Sequence, residues 1–220
     1  MKRSRAIAQL VQIINSIHQK HPVRVAIDGV DASGKTKLAD ELVEPLESAG
    51  RNVIRVSIDR FHNPREIRYR QGKNSPKGYY EDSFNYESLI ANVLEPLGPE
   101  GDLKFMPTSY NFISNSEAPC SPNQADKKSI LLFDGVFLHH PKIARYWDFT
   151  VFVHASFKTT LKRAMDRDLY LFKTTDQIEK MYLSKYIPGQ KIYLQTEAPK
   201  DKANVIFYND SIENPDLEIH

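Results

Sequence analysis

Apolar residues follow two rhythms along this chain. Short runs at Val23–Ile27, Asn52–Ile58, Ser129–Asp134, Phe149–His154 and Asn204–Tyr208 are dense in Val, Ile, Leu and Phe, the pattern of strands buried on both faces of a parallel sheet. Elsewhere the spacing is that of helices with one apolar face: Ala6 to Ile14, broken by glutamines at helical intervals; Thr36 to Val43; Glu87 to Leu97, closed by Gly98-Pro99; and Phe157 to Tyr186. Strands alternating with helices predict an α/β fold, a mostly parallel sheet with helices on both faces in three layers. Residues 63–86, rich in Arg, Tyr, Gly and Pro, and the polar stretch Asn111 to Lys128 keep neither period; a short extended piece begins at Lys104. They read as insertions in a single domain spanning residues 1–220. Such insertions gather at the carboxyl ends of parallel strands, where α/β sheets bind ligands.

The turn after the first strand carries the most specific chemistry. Gly29-Val-Asp-Ala-Ser-Gly-Lys-Thr36 is a complete G-x-x-x-x-G-K-[ST] loop, with a strand before it and a helix after it. Gly29 and Gly34 let the backbone wrap an anion, and N–H groups at a helix N-terminus point at phosphate oxygens. Asp31, Ala32, Ser33, Gly34, Lys35, Thr36 and Lys37 are therefore the candidates for nucleotide binding. Lys35 is expected on the β- and γ-phosphates and the Thr36 hydroxyl on Mg²⁺. The cofactors the sequence predicts are ATP and Mg²⁺.

Other polar residues fall at strand ends on the same edge. Asp134 closes an apolar strand, where an acid holds Mg²⁺ directly or through water, or caps the next helix. Asp59 ends the second strand, placed to orient an acceptor hydroxyl and take its proton; the plainer readings are a solvated loop residue or an outer ligand of the metal. His62 is a candidate substrate contact or a surface histidine. Arg163 and Arg167 share one helix face, either to clamp polyphosphate and stabilise transition-state charge or to pair with Asp166 and Asp168. Tyr69, Tyr79, Tyr80 and Tyr110 stack on a substrate or pack beneath the insertion, packing being the better reading for any single one. Arg65, Arg68 and Arg70 read an anionic group or are solvated. Asn123-Gln124-Ala125-Asp126 lies before the Asp134 strand, the wrong place for a guanine-reading loop. His139-His140 has no partner set with metal-ligand spacing and reads as a loop entering a helix.

Composition removes several classes. A net charge of +2 makes no case for nucleic acid or a membrane surface as partner. The single cysteine, Cys120, excludes an internal disulfide and a Cys-based zinc site. No apolar stretch approaches a membrane span, and the N-terminal helix is amphipathic rather than a signal peptide. The expected setting is the cytoplasm and the expected partner a small-molecule hydroxyl acceptor, with a homo-oligomer left open.

From Val23 to Asn209 the chain resembles the uridine kinase branch of P-loop kinases, in a group that includes phosphoribulokinase and bacterial pantothenate kinase. The resemblance runs through the phosphate loop, Ser57-Ile-Asp-Arg-Phe61, Tyr80-Glu-Asp-Ser-Phe84, Ser109-Tyr-Asn-Phe112, Phe133-Asp-Gly-Val-Phe137 and the helix with Arg163 and Arg167-Asp168. It implies Mg-dependent transfer of the ATP γ-phosphoryl group to a primary hydroxyl, with the 5′-hydroxyl of uridine or cytidine first. Asp59 would be the general base, Lys35 and Arg167 the groups on the phosphates, and Arg167 part of a lid over residues 163–186. Phe61, His62, Arg70, Asp82, Tyr110, Asn115 and Arg163 would form the substrate site. Asn115 stands where the family has a pyrimidine-contacting histidine, Asp134 where it has Glu, and Leu169 to Thr175 offers only Lys173 in place of an Arg-x-Arg cluster. Other acceptors (a sugar, a sugar phosphate or a pantothenate-like alcohol) and a non-catalytic nucleotide-binding regulator therefore stay open. Tyr186-Ile-Pro-Gly-Gln-Lys-Ile-Tyr193 is similar to a segment of a less characterised uridine kinase-like subgroup.

Overall fold

A computed structural model describes residues 1–118 and 120–220. Helix α1 (Arg3–Asn15), strand β1 (Val23–Gly29), α2 (Lys35–Ser48) and β2 (Val53–Ser57) come first. A 3₁₀ turn at Ile58–Phe61 then leads into α3 (Arg65–Arg68), α4 (Pro76–Asp82) and α5 (Tyr86–Leu89), which continues as a π-helical turn at Ile90–Leu94. Two-residue strands β3 (Lys104–Phe105), β4 (Tyr110–Asn111), β5 (Ser116–Glu117) and β6 (Asn123–Gln124) precede β7 (Ile130–Gly135) and β8 (Phe149–His154). The chain ends with α6 (Phe157–Arg167), α7 (Thr175–Met181), α8 (Ile187–Glu197), α9 (Pro199–Lys202), β9 (Val205–Tyr208) and β10 (Asp216–Ile219).

The main sheet has the order β10-β9-β8-β1-β7-β2, and every neighbouring pair is parallel except β10 with β9. β1 lies between β7 and β8 and is buried along its whole length, which is why it is apolar apart from Arg24 and Asp28. One sheet face is covered by α1 and α2, where Leu10, Ile14, Leu38 and Leu42 pack on Val25, Ile27 and Val151. The other carries Phe61, Phe133, Phe137 and Tyr193 with Val93 and Leu94. A smaller apolar cluster of Ala164, Ile178 and Tyr182 lies under the segment from α6 to α7. Each buried Val, Leu, Ile or Phe among them contributes about 1.5–3 kcal/mol through burial.

Arg24 is one of two charged residues in β1. Its Nε and Nη2 donate to the Asp148 carboxylate at 3.1 Å, and its Nη1 donates to the Leu94 carbonyl at 3.2 Å. No helix among the described residues is long and apolar enough to cross a membrane.

The strand expectations hold to within one or two residues. The helix expected at 87–97 is shorter, because Pro96 has no N–H to continue it. The helical stretch 157–186 is broken after Arg167 and restarts at Thr175, capped by the Thr174 side chain accepting from the Gln177 N–H.

Candidate active site

The loop between β1 and α2 is shaped by backbone conformations that few residues accept. Gly29 has φ +150°, and a Cβ there would lie 2.4 Å from the Val153 carbonyl oxygen. Gly34 has φ +101°, with the Asn209 amide nitrogen 2.5 Å from where its Cβ would be. Ala32 also lies in the left-handed region, φ +56°. The Ser33 carbonyl between them accepts from Asn209 Nδ2 at 2.6 Å and from Arg163 Nη1 at 3.3 Å. Lys35 is buried and donates to the Val30 carbonyl at 2.8 Å. Burial lowers its pKa, against the opposing pull of Asp31 and Asp134.

Two further contacts brace the loop from outside. The Asp31 N–H donates to Gln190 Oε1 at 3.1 Å, while its carboxylate accepts from Gln190 Nε2 at 2.8 Å and from the Tyr79 hydroxyl at 2.6 Å. Asp28, just before the loop, is fully buried and accepts from the Gly29 N–H at 2.7 Å, from His139 Nδ1 at 2.7 Å and from the Tyr193 hydroxyl. Gly189 lets α8 pack closely on α4, since a Cβ there would lie 2.7 Å from the Pro76 carbonyl oxygen.

The loop opens onto a cleft of about 600 Å³, the size of a small-molecule site. Asp59 and Asp134 border it beside Lys35 and Thr36. The Thr36 hydroxyl donates to Asp134 Oδ2 at 2.6 Å, and Arg55 Nη2 donates to Asp134 Oδ1 at 3.0 Å. A hydroxyl and a carboxylate in contact are the oxygen donors that Mg²⁺ takes alongside nucleotide phosphates, so the residues fit the expected metal. Asp59 lines the cleft from the 3₁₀ turn at Ile58–Phe61, and its side chain is solvent-exposed there. Desolvation, then the like charges of Asp31 and Asp134, push its carboxyl up to about 6. His62 Nδ1 lies 3.1 Å from the Asp59 carbonyl, and its ring packs against Phe84 and Phe112 at 4.6 and 4.7 Å. Desolvation lowers its pKa to about 4, which keeps it neutral near pH 7.

Of the residues expected from the sequence, Asp31, Ala32, Gly34, Lys35, Thr36, Lys37, Asp59, His62, Asp134, Arg163 and Arg167 border this one cleft. Gly29 and Ser33 build the loop behind it. The other expected contacts lie outside the lining. Phe61 is fully buried in the core beneath the sheet edge, and Tyr110 is buried in a two-residue strand. Asp82 is buried and paired with Arg70 and Gln71. Asn115 accepts from the Arg65 N–H at 2.9 Å, tying the insertion to a neighbouring hairpin. Arg167 is held by Asp168, Nε to Oδ1 at 2.6 Å, and donates to the Tyr182 hydroxyl at 3.1 Å. Arg163 serves the Ser33 and Asn209 carbonyls rather than pairing with Asp166. The His139-His140 stretch leads into a 3₁₀ turn at Ala144–Tyr146, and His139 serves Asp28. Of the four tyrosines weighed as stacking or packing residues only Tyr79 lines the cleft, and Phe84, Phe112, Tyr182 and Tyr186 line it without having been singled out. A more open depression along β2, lined by Asn52, Ile54, Phe105 and Gln124, holds none of the candidate residues.

The strand order and the loop at the end of a central strand define a P-loop kinase-type α/β fold. Residues 25–207 match the model of the phosphoribulokinase / uridine kinase family. The chain belongs to that family. It is 30% identical over 156 residues to uridine-cytidine kinase B of Dictyostelium discoideum, a match spanning 70% of this chain and 62% of that relative's length. The structure of a possible uridine kinase from Bacillus stearothermophilus superposes with a TM-score of 0.73 at 20% identity, covering 92% of this chain and 97% of the other. A D-glycerate 3-kinase from Cryptococcus neoformans gives 0.68 at 11% identity, covering 98% and 99%. At these identities the two structures speak for the fold.

Proposed function

We propose that this chain is an ATP- and Mg²⁺-dependent kinase that transfers the γ-phosphoryl group to a primary hydroxyl of a small molecule. The observation that carries the reading is Asp59, a carboxylate beside Lys35, Thr36 and Asp134 on one cleft, with its pKa raised to about 6. A general base works best when its pKa lies near the working pH. Asp59 takes the acceptor's proton as its oxygen bonds to the γ-phosphorus. The bond from that phosphorus to the bridging oxygen breaks, and ADP leaves with the electron pair. Lys35 and the loop N–H groups hold charge that spreads over the phosphoryl oxygens. Mg²⁺, held by Thr36 and Asp134, would neutralise phosphate charge. A regulator that only binds nucleotide has no use for such a base at the loop.

Two acceptor readings have specific support. The relative named uridine-cytidine kinase favours a pyrimidine nucleoside, and the apolar rings of Phe84 and Phe112 beside His62 suit a flat base. Lys185, over the cleft-lining Tyr79 and Tyr186 rings, and Arg68, over the Tyr69 ring it shares with Lys185, form no salt bridge among the described residues and favour a sugar phosphate or another anionic alcohol. A coupled ADP-release assay with MgATP tests the kinase itself, across uridine, cytidine, ribose, pantothenate, glycerate and sugar monophosphates. Acceptor-dependent release that disappears in Asp59→Asn is the expected result. MgATP binding with no release on any acceptor would bring the regulator forward.

A further inference from the structure

Several cations around the insertion are neutralised. Arg70 is joined to Asp82, Lys77 reaches Glu81 at 3.7 Å and Lys142 reaches Glu87 at 2.9 Å. Arg68 on α3 and Lys185 just before α8 are different. Among the described residues neither forms a salt bridge, and Lys185, only 7% exposed, makes no hydrogen bond. Its ammonium sits over the rings of Tyr69, Tyr79 and Tyr186, at 5.0, 6.0 and 5.5 Å from their centroids. The Arg68 guanidinium lies over the same Tyr69 ring at 5.4 Å. Its Nε is buried without a partner, and its Nη2 reaches only Asn115 Oδ1, at 3.5 Å.

Two like charges in this setting oppose each other and oppose burial. Desolvation, then the charges of Arg68 and Lys73, lower the Lys185 pKa to about 8. The tyrosine faces offset part of that cost, but they supply no negative charge and no acceptor for the buried Nε. Buried polar groups left unpaired call for a compensating group.

Their position says what that group belongs to. Tyr79 and Tyr186, which flank Lys185, also line the cleft. Arg68 is close enough to help lower the pKa of His62, whose Nδ1 meets the Asp59 carbonyl. Neither residue lines the cleft itself; the pair adjoins it through the cleft residues Tyr79 and Tyr186 and, by way of Asn115, through the β4–β5 hairpin that carries Phe112.

We propose that Arg68 and Lys185 form a subsite for an anionic group, a carboxylate or a phosphate, on the alcohol whose hydroxyl meets Asp59. The inference rests on the kinase reading of the cleft and narrows its acceptor class. A guanidinium supplies a flat fork of donors and an ammonium a point charge, and both suit oxyanions. Neutral uridine or cytidine would leave the two cations uncompensated.

The test compares kcat/KM for anionic acceptors (glycerate, pantothenate, sugar monophosphates with a free primary hydroxyl) with that for uridine, cytidine and ribose. It uses the full chain and the variants Lys185→Gln, Arg68→Gln and Lys185→Arg, with thermal unfolding to establish that each is folded. The wild type is expected to prefer an anionic acceptor. The ratio of anionic to neutral kcat/KM should fall about tenfold or more in Lys185→Gln and Arg68→Gln and be kept in Lys185→Arg. Carboxylate and phosphate acceptors separate the two sources of charge. An unchanged ratio, or turnover of neutral acceptors only, overturns the subsite. A second arm does not need turnover: inorganic phosphate is titrated by calorimetry into protein whose loop is filled with Mg²⁺ and a non-hydrolysable ATP analogue. Saturable binding lost in Lys185→Gln, with no acceptor phosphorylated, keeps the subsite and discards the kinase reading. No saturable phosphate binding in a protein that turns nothing over discards both.

Discussion

As the proposed base, Asp59 would put activity and stability in opposition at a single residue. Its carboxyl is pushed up by desolvation and by the charges of Asp31 and Asp134, so its ionisation costs the folded protein a little stability, reduced by solvent screening at this exposed position. Asp59→Asn is predicted to lower kcat by about 10²–10⁴-fold while the Kd for MgATP stays within about threefold, read by ADP release and calorimetry. The same substitution is predicted to raise Tm near pH 8. The sign follows from linkage. The folded-state pKa is raised to about 6 from 3.8, so ionisation disfavours folding once the pH exceeds the unfolded value. The gain from removing the charge is full above about pH 6 and fades toward pH 4. A Tm at pH 8 equal to or below that of the wild type would contradict this environment for Asp59. Activity should run the other way. In the wild type, kcat/KM should fall about tenfold per pH unit below an acid limb near 6, as the base becomes protonated. His62, with its pKa lowered to about 4, does not set that limb, so His62→Gln should leave it in place even where it changes KM. A limb near 4 would separate the proton acceptor from Asp59.

Among the elements, α8 shows best what the sequence held and what it withheld. The phosphate loop, the strand before it and the helix after it, and the acids just after β2 and at the end of β7 were legible because each is local: a strand, a turn and a helix within about a dozen residues. The Tyr186–Tyr193 segment was visible as a signature, but its partners were not, since Gln190 meets Asp31 across 159 positions and Tyr193 meets Asp28 across 165. Phe61 failed differently: it belongs to the motif containing Asp59, but the 3₁₀ turn at Ile58–Phe61 directs it into the core. β10 and the shift into α8 carry too little apolar pattern to announce themselves; β10 is half-exposed or exposed throughout. The contacts of α8 make a definite prediction. Gln190→Leu would leave the Asp31 N–H and one carboxylate oxygen with lost partners, at about 1–3 kcal/mol. It should raise KM for ATP about tenfold with kcat at saturating ATP within about threefold. Gly189→Ala would push α4 away from α8, costing about 1–3 kcal/mol by overpacking, read by denaturant unfolding. A variant Gln190→Leu with an unchanged KM for ATP would reduce α8 to packing.

Taken whole, the molecule joins its two ligand sides through one carboxylate. The sheet fixes the phosphate loop between β7 and β8, and the insertion brings α4 over the cleft. Tyr79 on α4 lines that cleft while its hydroxyl donates to Asp31 in the loop, and Gln190 on α8 holds the same carboxylate oxygen. An acceptor that settles against Tyr79 therefore acts on a side chain already bonded to the nucleotide loop. Coupling between two sites is reciprocal and typically amounts to 5–150-fold in affinity. The prediction is that acceptor tightens binding of a non-hydrolysable Mg·ATP analogue, that the analogue tightens acceptor binding by the same factor, and that Tyr79→Phe reduces both factors together. Tyr79→Phe keeps the ring and removes only the hydroxyl, so the cleft wall stays in place while the link to Asp31 is lost. Calorimetric titrations in both orders, on wild type and variant, measure the factor twice. Equal coupling in the two proteins would mean that the loop and the acceptor side communicate through the sheet or the nucleotide itself, and that the Tyr79–Asp31 bond serves only to hold α4 in place.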